Sequence, residues 1–214
     1  MNNSIDFSKV LEDYECIIFD FDGTLIDSEK FHLLAHNEVL SQILNREFYF
    51  SKEGFSKYLG KKDTQIFEQY KIDFNVDFDS QEMITKKVLA ARDLLLQDEV
   101  KIFDYFYEIL KVKGNKKFYI VSNQDDRILM PVLEKKGILS YFENVYCLPN
   151  MKLEKSYFVE NLKEFINHSG KVAIFEDNKD ILNLGKRLNM LTFGVETHLI
   201  RGKLNGNCDY LLSY

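Results

Sequence analysis

Cys16-Ile17-Ile18-Phe19-Asp20-Phe21-Asp22-Gly23-Thr24 joins a short apolar run to two carboxylates spaced two apart and then a glycine. A strand buried on both faces reads as continuous apolar sequence. This stretch therefore predicts a central strand of a parallel sheet, delivering Asp20 and Asp22 to the edge where α/β proteins bind ligands. The spacing of two lets both carboxylates face one side as the chain leaves the strand, and Gly23 allows a sharp turn there without a Cβ clash. Alone, an Asp-x-Asp-Gly reads equally well as a turn or a helix cap. Its partners elsewhere in the chain decide between the two.

Two further apolar runs end in polar residues. Lys117-Phe118-Tyr119-Ile120-Val121 leads into Ser122-Asn123, and Val172-Ala173-Ile174-Phe175 leads into Glu176-Asp177-Asn178. Both read as buried strands emptying into a site. Between them Met151-Lys152-Leu153-Glu154-Lys155 heads an amphipathic stretch. In chain order the sequence offers a carboxylate pair, a hydroxyl, a lysine and an acidic pair. Singly, Ser122 reads as a cap, Lys152 as an exposed lysine and Glu176-Asp177 as a helix start. Their joint order points to phosphoryl transfer.

With these four elements the chain resembles the haloacid dehalogenase superfamily of phosphohydrolases, in the branch with a helical cap inserted after the first motif, and is similar to its β-phosphoglucomutase-like and phosphoglycolate phosphatase-like hydrolases. The resemblance runs from about Glu15 onward. Asp20-Phe21-Asp22-Gly23-Thr24 is similar to the first motif, Ser122 to the second, Lys152 to the third and Glu176-Asp177 to the fourth. Leu153 stands where the family usually has proline, so Lys155 rivals Lys152; Lys152 is preferred because Phe158 follows six residues on, as in many relatives. The resemblance implies a doubly wound parallel α/β sheet, a Rossmann-like core of residues 1–27 and 98–214, and a helical cap of residues 28–97. Helical spacing of Phe31, Leu34, Ala35 and Val39, and of Ile84, Val88, Ala91 and Leu95, agrees with that cap. Pro131, inside a predicted helix near Arg127 to Lys136, is expected to kink that helix or delay its start. Residues 1–14 read as a lead-in without chemistry.

A carboxylate attacking a phosphate dianion meets repulsion of roughly 4 kcal/mol per charge pair at ~4 Å in a medium of effective dielectric near 20. Asp20 and Asp177, with Glu176, are candidates to hold Mg²⁺, a hard cation that takes oxygen ligands, and Lys152 adds a second positive charge. Asp20 is then the nucleophile and Asp22 the acid and base. The resemblance also implies a metal contact from the Asp22 main-chain carbonyl. Ser122 and Asn123, with Gly23 and Thr24, are the expected phosphate-binding residues. His32 matches a substrate-gating histidine of β-phosphoglucomutases, and Lys62, in the loop Gly60-Lys61-Lys62-Asp63, is a candidate for an anionic substrate.

Asp22 argues against carbon–halogen cleavage, since halide leaves without a proton. A sugar phosphomutase is the closer alternative. Against it, Ser122-Asn123-Gln124-Asp125-Asp126 lacks the lysine and asparagine expected about two and three residues beyond the motif serine. A non-catalytic phospho-acceptor module is disfavoured because its acceptor aspartate and its lysine would both come later in the chain.

Composition fits this class. The 214 residues are 45% hydrophobic, enough for a sizeable core, and the net charge of −6 argues against nucleic acid as partner. A small phosphorylated metabolite remains compatible, because a few local charges and a metal set the field inside one pocket. Neither a signal-peptide core nor a bilayer-length apolar run is evident, so the expectation is a cytosolic monomer without membrane contact. Cys16, Cys147 and Cys208 have no metal-ligand spacing and are expected to be reduced.

Overall fold

The computed structural model describes residues 5–58, 61–97, 99–166, 168, 170–198 and 200–214. After a short helix α1 (Phe7–Val10), capped by the Asp6 carboxylate, the chain enters β1 (Tyr14–Phe19). The chain then runs through α2 (Glu29–Leu44), α3 (Lys52–Phe55), α4 (Asp63–Phe74) and α5 (Ser80–Leu95). Then come α6 (Asp104–Lys111), β2 (Lys117–Ser122), α7 (Asp126–Lys135), β3 (Asn144–Cys147), α8 (Leu148–Met151), α9 (Lys155–Glu160) and α10 (Leu162–Phe165). The chain closes with β4 (Lys171–Glu176), α11 (Lys179–Arg187), β5 (Leu191–Glu196) and β6 (Tyr210–Ser213).

Among the described residues the strands form one parallel sheet in the order β3-β2-β1-β4-β5-β6. The order reverses direction between β1 and β4, and such a switch point opens a crevice at the carboxyl ends of the strands. Strand alternation splits the core into two faces. Ile17 and Phe19 join α1, α6 and α7 on one side; Cys16 and Ile18 meet Phe158, Leu162, Ile181 and Leu184 on the other. Burial on both faces is why β1, β2 and β4 are uninterrupted apolar runs.

A ladder of rings crosses the sheet one residue short of the crevice. Phe19 pairs in register with Phe175, Phe175 with Phe193 and Phe193 with Tyr210. Their centroids lie 5.0, 4.2 and 5.1 Å apart with the rings stacked. Each such contact adds ~0.5–1.5 kcal/mol beyond its area burial and works against any slip of register. The residues that follow Phe19 and Phe175 are Asp20 and Glu176.

The helical insert has its own core of Val39, Leu40, Phe55, Tyr58, Ile66, Phe67 and Tyr70. Phe31 and Ala35 of α2 and Val88, Ala91 and Leu95 of α5 belong instead to the core beneath the sheet, so the base of the insert is continuous with it. Leu34 does not join that face as its spacing predicts and is exposed. The buried arc of α2 extends the other way, through His36, Asn37 and Leu40, which leaves Leu34 on the far side.

The lead-in contributes Phe7 and Leu11 to the core. The helix containing Pro131 starts without delay at Asp126, because Asp125 accepts the Arg127 amide hydrogen at 2.9 Å and fixes the first turn. No described helix is long and apolar enough to cross a membrane. The three cysteines are free thiols.

Candidate active site

The loop after β1 is held on all sides. The Asp20 amide donates to the Phe175 carbonyl at 3.0 Å, and the Leu25 and Ile26 amides both donate back to Phe21. The Asp27 amide donates to Lys101 and the Phe103 amide to Leu25, while the Tyr105 hydroxyl donates to the Thr24 carbonyl at 2.7 Å. Gly23 adopts φ +66°, a left-handed conformation that other residues enter at a cost. A Cβ there would lie 2.8 Å from Asp177 Oδ2, so glycine also makes room for the second acidic element.

Asp20, Glu176 and Asp177 converge, each with a carboxylate oxygen within 4.8 Å of the others. Glu176 is already committed. Its Oε1 accepts the amide hydrogens of Asp177 and Asn178 at 3.2 and 3.1 Å, and its Oε2 accepts from Lys155 at 2.8 Å. Asn178 then caps α11 through the Asp180 and Ile181 amides, which fixes where the acidic pair ends.

Lys155 Nζ lies 2.7 Å from Asp20 Oδ1 and is buried, bridging the nucleophile candidate to Glu176. This corrects the preference for Lys152. Lys152 is exposed and occupies the left-handed position that ends α8, at φ +54°. Lys155 stands three residues before Phe158 on α9, and both are buried on one helix face. Helix register therefore carries the lysine at 155, and not the one at 152, into the crevice.

The charges do not balance. Burial, then repulsion from Glu176, raises the Asp20 carboxyl to about 7 against the pull of Lys155. Burial, then Glu176 and Asp20, holds Asp177 well above the carboxylate range. Burial opposes the charge on Lys155, yet Asp20 and Glu176 outweigh it and keep the ammonium protonated. Three carboxylates facing one lysine form a hard oxygen donor set with excess negative charge, a fit for a small divalent cation.

Asp22 sits in a different environment. Burial pushes its carboxyl upward, but the neighbouring His32 and hydrogen bonds from His32, Ser28 and Gln124 outweigh that effect and lower it. His32 Nε2 lies 2.9 Å from Oδ1, and Gln124 Nε2 donates to Oδ2 at 2.5 Å. The histidine named as a substrate contact is thus a partner of Asp22, and Gln124 is a site residue that the sequence reading passed over. A glutamine two residues beyond a motif serine carries no signal by itself.

Ser122 is buried at the end of β2 and its Oγ accepts the Gln124 amide hydrogen at 3.1 Å; Asn123 is exposed beside it. Thr24, expected to bind phosphate, is fully buried; its main-chain carbonyl accepts from Tyr105, and its hydroxyl has no hydrogen-bond partner among the described residues. Lys62 is exposed and ion-paired with Glu154 at 2.5 Å, a contact between the insert and the residue preceding Lys155. Gly60 of the same loop lies outside the described residues.

The sequence model of the family described as haloacid dehalogenase-like hydrolase matches residues 17–195. The chain belongs to this family. The match takes in Asp20, Asp22, Ser122, Lys155, Glu176 and Asp177, the residues that the fold gathers at the crevice. Over 128 residues this haloacid dehalogenase-like hydrolase is 30% identical to a phosphoglycolate phosphatase from Aquifex aeolicus (strain VF5), covering 59% of this chain and 57% of that protein. The chain thus matches little more than half the length of that curated relative. Its fold is similar to that of CbbY from Rhodobacter sphaeroides in complex with phosphate, with a TM-score of 0.74 at 15% identity over 92% of this chain and 93% of the other. A putative β-phosphoglucomutase from Thermotoga maritima matches with a TM-score of 0.71 at 19% identity over 93% and 94%.

Proposed function

We propose that this hydrolase is a Mg²⁺-dependent phosphatase that cleaves a small phosphomonoester through an aspartyl-phosphate on Asp20. The observation that carries the reading is the unlike treatment of two neighbouring carboxylates. Lys155 and the acidic cluster grip Asp20, whereas Asp22 is held apart by His32 and Gln124. One fits a nucleophile and the other a proton carrier.

Asp20 attacks phosphorus through the carboxylate oxygen that Lys155 does not hold, forming one P–O bond as the bond to the leaving oxygen breaks. The negative phosphate bound beside it favours uptake of a proton by Asp22, which then delivers that proton to the leaving oxygen. Asp22 then takes a proton from the water that attacks the aspartyl-phosphate, releasing inorganic phosphate and free Asp20. Ser122 and the Asn123 amide hydrogen-bond the transferring oxygens, with the tight turn at Gly23 letting the backbone approach, and Lys155 stabilises their charge. Asp20 and Asp177, with Glu176 behind them and the Asp22 carbonyl, would hold Mg²⁺. When bound, that ion neutralises charge that would otherwise repel the phosphate.

Residues 28–97 act as the cap that excludes water during transfer and reopens for product release, flexing near Asp27 and Val100. Lys62 is its candidate contact for an anionic substrate, in exchange for Glu154. The mutase reading is weaker because Gln124 and Asp125, standing near where the second phosphate would be gripped, are committed to Asp22 and to Arg127.

The test is phosphate release from a panel of phosphomonoesters with Mg²⁺, with chelator, and with Asp20→Asn. Metal-dependent release that the variant loses supports the reading. No release, but interconversion of a sugar phosphate primed by its bisphosphate, would overturn it in favour of the mutase.

A further inference from the structure

Gln124 links the second motif to the acid through its main-chain amide and both polar atoms of its side chain. Its main-chain amide donates to Ser122 Oγ at 3.1 Å, and its side-chain oxygen accepts the Asp125 amide hydrogen at 2.9 Å. That second bond fixes which way the side-chain amide faces, since a backbone N–H can only donate. The NH₂ group is therefore the end directed at Asp22, where it donates to Oδ2 at 2.5 Å.

The other carboxylate oxygen of Asp22 is 2.9 Å from His32 Nε2. His32 Nδ1 is buried with no hydrogen-bond partner among the described residues. A bare nitrogen lone pair is cheaper to bury there than an unpaired N–H, so Nε2 carries the hydrogen and donates to Oδ1. Besides Ser28, Asp22 is then clamped by donors from two elements, His32 of α2 and Gln124 of the loop after β2. Gln124 Nε2 and His32 Nε2 stand 3.2 Å apart as the two jaws.

We propose that Gln124 is a positioning residue for proton transfer: it sets the orientation of the Asp22 carboxyl and ties it to the loop that presents Ser122. This rests on the phosphatase reading above, in which Asp22 protonates the leaving oxygen. Because Gln124 acts through Asp22, its loss weakens transfer to leaving groups that need a proton and spares those that do not. A structural lesion would weaken both alike.

The experiment measures kcat/KM, which reports transfer to Asp20, for an alkyl phosphate and for p-nitrophenyl phosphate on the same preparations of wild type, Gln124→Met, Gln124→Asn and Asp22→Asn. Methionine keeps the side-chain volume and removes the donor. The alkyl-to-aryl ratio cancels any unfolded fraction, so a poorly folding variant still reports.

General acid catalysis is typically worth ~10² to 10⁴ in rate, and a partly disoriented acid should forfeit about tenfold of it. The expected result is an alkyl-to-aryl ratio lowered about tenfold in Gln124→Met, in the same direction as a larger fall in Asp22→Asn. An unchanged ratio in both Gln124 variants, with Asp22→Asn still lowering it, overturns the role of Gln124 and leaves the phosphatase standing. Wild type that releases no phosphate from either substrate overturns the phosphatase and this inference with it.

Discussion

Lys155→Met set against Lys152→Met is the sharpest perturbation of the site. Lys155 is 6% exposed, and its ammonium lies 2.7 Å from Asp20 and 2.8 Å from Glu176. Methionine fills most of the same space but leaves two buried carboxylates facing one another without a cation. Removing one partner of a buried pair costs ~3–5 kcal/mol. The lower end is expected here, because Asp20 is already raised to about 7 and can take up a proton in place of the lysine. For a chain of this length each kcal/mol moves the midpoint by about 2–4 °C, so a fall of roughly 10 °C is expected. Phosphate release should drop by ~10² or more, the scale on which a charge-stabilising donor acts. Lys152 is exposed at a helix end, so Lys152→Met should stay within about 0.5 kcal/mol of wild type and keep its turnover. Thermal unfolding followed by far-UV circular dichroism, with phosphate release on the same samples, measures both effects. The reasoning is refuted by an inactive Lys152→Met, or by a Lys155→Met that melts and turns over like wild type.

Two further outcomes follow from the geometry. Gly23→Ala should lose about 1–2 kcal/mol from left-handed strain alone and, by pushing Asp177 aside, should also gain less thermal stability from added Mg²⁺; melts with and without the ion check both. Burial lowers His36 from 6.5 to about 4, so the folded protein stays unprotonated where the unfolded chain takes up a proton. Stability should therefore fall as the pH drops from about 6.5 to about 4, by up to ~3 kcal/mol from this group, and His36→Phe should flatten that slope in urea titrations.

Much of the fold could be read from three apolar runs, because a strand buried on both sides leaves no polar positions to confuse with a helix. The carboxylates at their ends followed, since a strand fixes where its next residue emerges. The lysine did not, because nothing local in Met151-Lys152-Leu153-Glu154-Lys155 says that Lys152 ends one helix while Lys155 starts the next. Leu34 failed for a related reason, as an apolar residue at the margin of an amphipathic arc goes wherever the neighbouring helix lies. Thr24 reads as a ligand contact from its place beside Gly23, but its burial and the bond from Tyr105, far away in sequence, to its carbonyl depend on the tertiary fold. Gln124 and His32 required the tertiary fold, because each matters only through the carboxylate that it meets.

The strand order also has a consequence for synthesis. β1 lies in the middle of the sheet, yet it leaves the ribosome about a hundred residues before β2 and still longer before β4. At ~5–20 residues per second, Tyr14–Phe19 spends on the order of ten seconds with both edges unpaired. During that interval the helical insert emerges, and the ring-rich part of it from Val39 to Tyr70 can bury its own core without the sheet. The apolar run 16–19 of the exposed strand is meanwhile bordered by Glu15 on one side and by Asp20 and Asp22 on the other. Charges bordering an apolar strand act as gatekeepers against edge-to-edge association. The carboxylates proposed for catalysis in the finished enzyme thus guard the nascent chain before there is any site for them to serve.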